Sequence, residues 1–177
     1  MLSKPLENEY AEFFSSYVSL ITEADILSVL SGQPAELRQL VHGVTGEREH
    51  YRYASGKWTI REVVSHMIDA ERVFAYRAFC ISRGESASLP SFDENEYAAQ
   101  SRSDNVPLAE LVDEFSTVRK SNLPFLSRLD ESNWKRLGAA GKNPISVRAL
   151  AFIMAGHVRH HCTILKERYG VESSTSR

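Results

Sequence analysis

Apolar residues recur along this chain at spacings of three and four in four long stretches, and nowhere alternate convincingly in the two-residue rhythm of a strand. The first stretch carries Ile26, Leu27, Leu30, Leu37, Leu40 and Val41. Ahead of it, Thr22-Glu23-Ala24-Asp25 has the form of a capping box and predicts a helix start at Thr22. Gly32 and Pro34 lie inside the stretch, where the missing proline N–H and the ring clash predict a kink or a short break. A further short helix is expected around Glu9 to Tyr17. The second stretch is better marked. Thr59 and Glu62 supply a Thr-x-x-Glu start, Ile60, Val63, Val64, Met67, Ile68, Val73 and Phe74 continue it through Ile81, and Gly84 ends it. The third begins near Pro107, carries Leu108, Leu111, Val112, Phe115, Val118 and Leu126, and should bend at Pro124. Ser146 caps the fourth, which Gly170 stops after Tyr169.

Two connections are long. Glu85 to Asn105 contains Pro90 and one expected helical turn near Glu94 to Ala99; a connection of that length commonly forms a lid or the rim of a site. Asp130 to Pro144 reads as a turn-rich segment. The pattern predicts an all-α fold, a four-helix bundle with long crossover connections. One domain is expected over residues 1–170, followed by a disordered polar tail at 171–177.

Composition narrows the function classes. The 177 residues carry a formal net charge of −2, which provides no electrostatic footprint for nucleic acid. No apolar run approaches the roughly 20 residues of a membrane span. Met1 to Leu20 mixes Lys4, Glu7, Glu9 and Glu12 with its apolar residues and lacks a signal-peptide core. Cys80 and Cys162 show no framework spacing, so a reduced, cytoplasmic setting is expected.

The histidines change the picture. Three of six crowd into His157-Val158-Arg159-His160-His161, inside the apolar fourth helix. Residues four apart share a helix face, so His157 and His161 interrupt the inward stripe of Leu150, Ile153, Met154 and Ile164. One buried histidine is most often a core residue with a local partner. Two on one stripe would crowd a core that has few polar partners, and a shared divalent cation answers both. His160 points to the flank and is expected outside the ligand set. On the second helix, His66 shares a stripe with Glu62, Asp69, Val73 and Arg77, which makes it the candidate third ligand. Glu62 or Asp69 could accept a ligand N–H or act as a base. His42 and His50 are expected at the surface. Val158 stands where a His-Glu-x-x-His protease needs its base, so that chemistry is excluded. Cys162 is turned away from His161 and reads as packing; Trp58 and Trp134 read as core or hinge anchors.

The run Gly56-Lys57-Trp58-Thr59-Ile60-Arg61-Glu62-Val63-Val64-Ser65-His66-Met67-Ile68-Asp69-Ala70-Glu71-Arg72 resembles the second-helix signature of the DinB-like (YfiT-type) superfamily. Ala155-Gly156-His157-Val158-Arg159-His160-His161 resembles its closing Gly-His-x-x-His-His motif, and Phe92-Asp93 and Val118-Arg119 extend the likeness over nearly the whole chain. The resemblance implies a four-helix bundle binding a divalent metal, commonly zinc or nickel, through His66, His157 and His161. It also implies a possible homodimer and, despite the family's name, no DNA polymerase activity or DNA binding. Among such proteins are thiol-dependent S-transferases and isomerases. The expected function is therefore metal-dependent S-transfer to a small-molecule substrate with a low-molecular-weight thiol. Two alternatives stand beside it: a metal-dependent hydrolase with water as nucleophile, and a non-enzymatic metal-binding stress-response protein.

Overall fold

The computed structural model describes residues 2–172. Two short 3-10 turns, Glu7–Glu9 and Glu12–Phe14, lead into α1, Ser15–Ser19. Four long helices follow in chain order with shorter elements between them: α2 (Ile26–Val41), α3 (Ile60–Ser82), α4 (Glu94–Gln100), α5 (Leu108–Leu126), α6 (Glu131–Lys135) and α7 (Val147–Glu167). Between α6 and α7, β1 (Leu137–Ala140) and β2 (Asn143–Ser146) pair as an antiparallel hairpin. The all-α expectation holds for the bundle. Helix α3 packs on α5 and α7, and α2 packs on the same two. Helices α2 and α3 are thus diagonal, as are α5 and α7, and the chain crosses the bundle at both of those steps.

The second helix starts as its sequence predicts. Thr59 Oγ1 accepts from Glu62 N at 3.0 Å while Glu62 Oε2 accepts from Thr59 N at 2.7 Å, a reciprocal capping box. The first helix departs from expectation and begins at Ile26, four residues later than the Thr22 start. Asp25 is the cap, its Oδ1 accepting from Leu27 N and Ser28 N. Asp is among the strongest capping residues, and Glu23 is drawn away by Arg159 of α7 at 2.7 Å.

The expected break at Pro34 does not occur: α2 runs unbroken through it. A proline at this position leaves the carbonyl four residues back without its helical donor. That carbonyl belongs to Leu30, and it accepts instead from Arg119 Nη1 at 2.8 Å. A tertiary contact replaces the missing bond. Helix α5 likewise continues past Pro124 to Leu126.

The hairpin is the element that periodicity did not predict. Its residues, Leu137-Gly138-Ala139-Ala140 and Asn143-Pro144-Ile145-Ser146, are poor in β-branched and aromatic types. Non-local contacts hold it. Leu89 N donates to Ala139 O and Gly141 N donates to Leu89 O, both at 2.9 Å, so the long connection after α3 adds a parallel bridge. Gly141 turns the hairpin at a φ of 60°. Glu9 ties the N-terminal segment to the same place: its Oε2 accepts from Ser146 Oγ and Arg148 Nε, each at 2.7 Å, and its Oε1 pairs with Arg148 Nη2.

Val171, expected in the tail, is buried against Leu165 and Tyr169, and its N–H donates to Leu165 O at 3.0 Å beyond the positive-φ Gly170. The rest of the predicted tail, from 173 onward, lies outside the described residues. Among the described residues, no helix is long and apolar enough to cross a membrane.

Candidate metal centre

His66 stands in the first third of α3, and His157 and His161 stand one turn apart on the facing side of α7. All three are buried. Gly156, just before His157, lets α1 approach: a Cβ there would lie 2.1 Å from Tyr17 O. The close crossing brings the Tyr17 ring edge-on to His157, with centroids 5.4 Å apart. Trp58 covers His66 at 4.7 Å, and Phe74 meets His157 edge-on at 5.9 Å.

The three rings turn one nitrogen each toward a common point. Nε2 of His157 lies 2.9 Å from Nε2 of His66 and 3.1 Å from Nε2 of His161, and the three donor atoms lie within 4.8 Å of one another. Burial, reinforced by neighbouring histidines, pushes His66 down to about 4 and holds His157 and His161 well below their ordinary range. The rings are therefore neutral. A neutral imidazole offers one N–H and one lone pair, so His157 Nε2 can satisfy at most one of its two neighbours. Nδ1 of His161 is also buried without a hydrogen-bond partner among the described residues. As an imidazole cluster, the arrangement is poorly satisfied. It fits a divalent ion better, because nitrogens about 2.0–2.1 Å from a tetrahedral ion stand about 3.3 Å apart.

The centre borders a cavity of about 260 Å³. His66 and His157 form part of its wall with Phe14, Tyr17, Phe74 and Arg77; Ser91, Phe92 and Glu94 come from the long connection, and Asn143 and Ile145 from the hairpin. The expected rim thus lies at the site, and the unforeseen hairpin completes it. His161 packs deeper, against His66, His157 and His160.

The DinB superfamily model matches residues 30–165, a span that contains the three histidines, all of α3 and all but the last two residues of α7. The chain belongs to the DinB superfamily. Two relatives bear the name "Putative metal-dependent hydrolase". One from Geobacillus kaustophilus is 26% identical over 139 residues, covering 76% of this chain and 77% of its own. One from Oceanobacillus iheyensis is 25% identical over 131 residues, covering 73% and 75%. Among solved structures, YfiT from Bacillus subtilis, described as an unusual four-helix bundle, superposes with a TM-score of 0.75 at 22% identity over 95% of this chain and 94% of its own. The mycothiol-dependent maleylpyruvate isomerase gives a TM-score of 0.59 at 12% identity over 85% and 59%. These structures establish the shared DinB fold.

Several sequence-predicted residues occupy other places in this DinB chain. Glu62 spends its carboxylate on the helix cap and on Arg52 at 2.8 Å, and Asp69 lies near Arg72 and Glu114 on the α5 side of α3. Neither hydrogen-bonds to a ligand histidine among the described residues. The cause is helical phase: each is on the edge of the His66 stripe, and neighbouring arginines capture it. His160 stays outside the triad, its ring tilted against Tyr17 with centroids 5.2 Å apart. His42 and His50 are exposed, as expected. Burial raises the Cys162 thiol to about 11, in keeping with a packing role. Trp134 joins the core, whereas Trp58 is part of the centre itself. Tyr17 and Phe74 went unremarked as site residues in the sequence; the only local signal for Tyr17 was the glycine that admits it.

Proposed function

We propose that this protein is a metal-dependent enzyme that uses His66, His157 and His161 to activate a low-molecular-weight thiol for transfer to a small electrophile. One observation carries the reading: three neutral imidazoles converge beside a cavity, with no carboxylate hydrogen-bonded to any of them among the described residues. Three protein nitrogens are the ligand set of a catalytic rather than a filled structural zinc site, and imidazole suits zinc and nickel alike. A divalent ion held there supplies the charge that lowers a thiol's pKa from about 8.5 toward neutrality, with no need for a separate base.

The chain's own residues supply the rest. Phe14, Phe74 and Phe92 make an apolar wall that excludes water and holds the electrophile. The Tyr17 phenol, raised by burial and then by the charge of Glu94, keeps its proton at neutral pH, and its ring stands edge-on to His157. The fold is shared with a thiol-dependent isomerase, although fold alone does not carry chemistry.

Hydrolysis is the second reading. Glu94 is a carboxylate on the cavity wall, suited to act as the base that hydrolysis with a water nucleophile requires, and the relatives' names point the same way. Cobalt-loaded protein separates the two. A sulfur-to-metal charge-transfer band on adding glutathione, bacillithiol or mycothiol, with turnover of an electrophile panel, supports thiol transfer. No band, together with ester or amide hydrolysis that Glu94→Gln abolishes, sinks it in favour of the hydrolase. Neither band nor turnover leaves a non-enzymatic metal-binding protein.

A further inference from the structure

Arg77 is a buried cation without a counter-ion. It lies 11 residues beyond His66 on α3, about three turns on and on the same face. It is 4% exposed and lines the cavity that His66 and His157 also line. A guanidinium has five N–H donors. Here one bond uses them, Nη2 to Pro90 O at 2.6 Å, and Nε is buried with no partner among the described residues. No carboxylate lies within ion-pair reach among the described residues. Glu94, on the same cavity wall, makes no ion pair with Arg77 among the described residues. Burial accordingly disfavours the charged form of Arg77.

The group is nonetheless held firmly in place. Its guanidinium carbon sits 6.0 Å from the Phe74 ring centre and 5.8 Å from that of Phe92, and the Pro90 bond fixes one edge. Phe74 in turn lies against His157, so one aromatic ring separates the cation from the metal ligands. Leaving a buried charge unpaired is costly unless something else supplies the opposite charge. In this cavity that partner has to come from the ligand.

We propose that Arg77 is the anchor for a substrate carboxylate, so that the enzyme acts on small organic acids whose reactive carbon lies toward the three histidines. This specifies the substrate class of the metal-dependent reading above and rests on it. A planar fork matches a carboxylate in two parallel bonds, and one guanidinium among phenyl rings balances a monoanion better than a phosphate dianion. Ser91 and Asn143 add polar groups to the same cavity wall.

The test is calorimetric binding of acetate, benzoate and phenylacetate, each against its neutral amide, to the metal-loaded protein. Acids should bind about tenfold to a hundredfold more tightly than their amides, the range of a buried charged hydrogen-bonded pair. Arg77→Met should erase that preference with metal content unchanged, and Arg77→Lys should keep a reduced part of it. Should Arg77→Met fail to fold, the several-fold fall in Arg77→Lys decides. Equal binding of acid and amide overturns the proposal, as does failure of every acid to bind. A preference that survives Arg77→Met also overturns it, because the carboxylate then sits on the metal. An Arg77-dependent preference without any thiol-induced band would leave the anchor standing and defeat the thiol reading alone.

Discussion

Two buried polar clusters share this bundle, and they are built on opposite principles. Around Arg119, every need is met inside the protein. Its Nε and Nη2 donate to the two oxygens of Glu71 at 2.8 and 2.9 Å, and its Nη1 donates to Leu30 O and Gln33 Oε1. Asn122 adds a bond to Glu71, and Gln33 Nε2 reaches Ala155 O at 2.7 Å. Around His157, nitrogens face one another with too few protons and lone pairs in the right places, and among the described residues His161 Nδ1 has no partner and Arg77 on the cavity wall has no anion. A satisfied network locks helices together; an unsatisfied one signals a missing ligand. The first also serves the second, since Gln33 grips α7 two residues before His157 and the charge of Arg119 helps keep His157 neutral.

The contrast breaks most sharply by single substitutions. His157→Ala should take bound metal from about one ion per chain to nearly none by elemental analysis, while the apo protein stays folded. Full metal occupancy in that variant would show that the centre has been misplaced. Glu71→Ala should do the reverse, keeping the metal but costing about 3–5 kcal/mol in denaturant unfolding, because it strands a buried guanidinium. Replacing the pair together, as Glu71→Leu with Arg119→Met, should cost much less.

A third, smaller effect concerns Glu9. Hydrogen bonds from Arg148 first, and from Ser146, lower its pKa below the ordinary 4.5 even though burial opposes them. A lowered carboxylate contributes stability that is complete above pH 4.5 and lost as pH falls through the folded value. Glu9→Gln should therefore flatten the acid limb of a stability–pH curve below 4.5; an unchanged limb would mean the pair is not a satisfied cluster. The smallest effect is expected for His160→Ala, which should retain most of the metal, since its ring packs against Tyr17 outside the triad. Loss of metal there would shift the helical phase of the whole centre.

Much of this protein could be read from local order. Residues four apart on a helix share a face whatever surrounds them, so the pairing of His157 with His161 followed from α7 alone, and the Thr59–Glu62 cap from four residues of chain. The family likeness rested on the same segments, and Phe92-Asp93 and Val118-Arg119 acquire physical roles: a cavity wall, a cap for α4, and the satisfied cation of the core. Other features depended on elements distant in sequence. Pro34 remains in an unbroken helix because Arg119, 85 residues later, takes the carbonyl it frees. The hairpin exists because Leu89 and Glu9 bond to it, against its weak strand composition. Glu62 and Asp69 sat near the right stripe, yet arginines claimed them first. Periodicity determines which way a side chain points along its own helix, whereas only packing decides which charges it meets, and that choice left Arg119 paired and Arg77 waiting for a ligand.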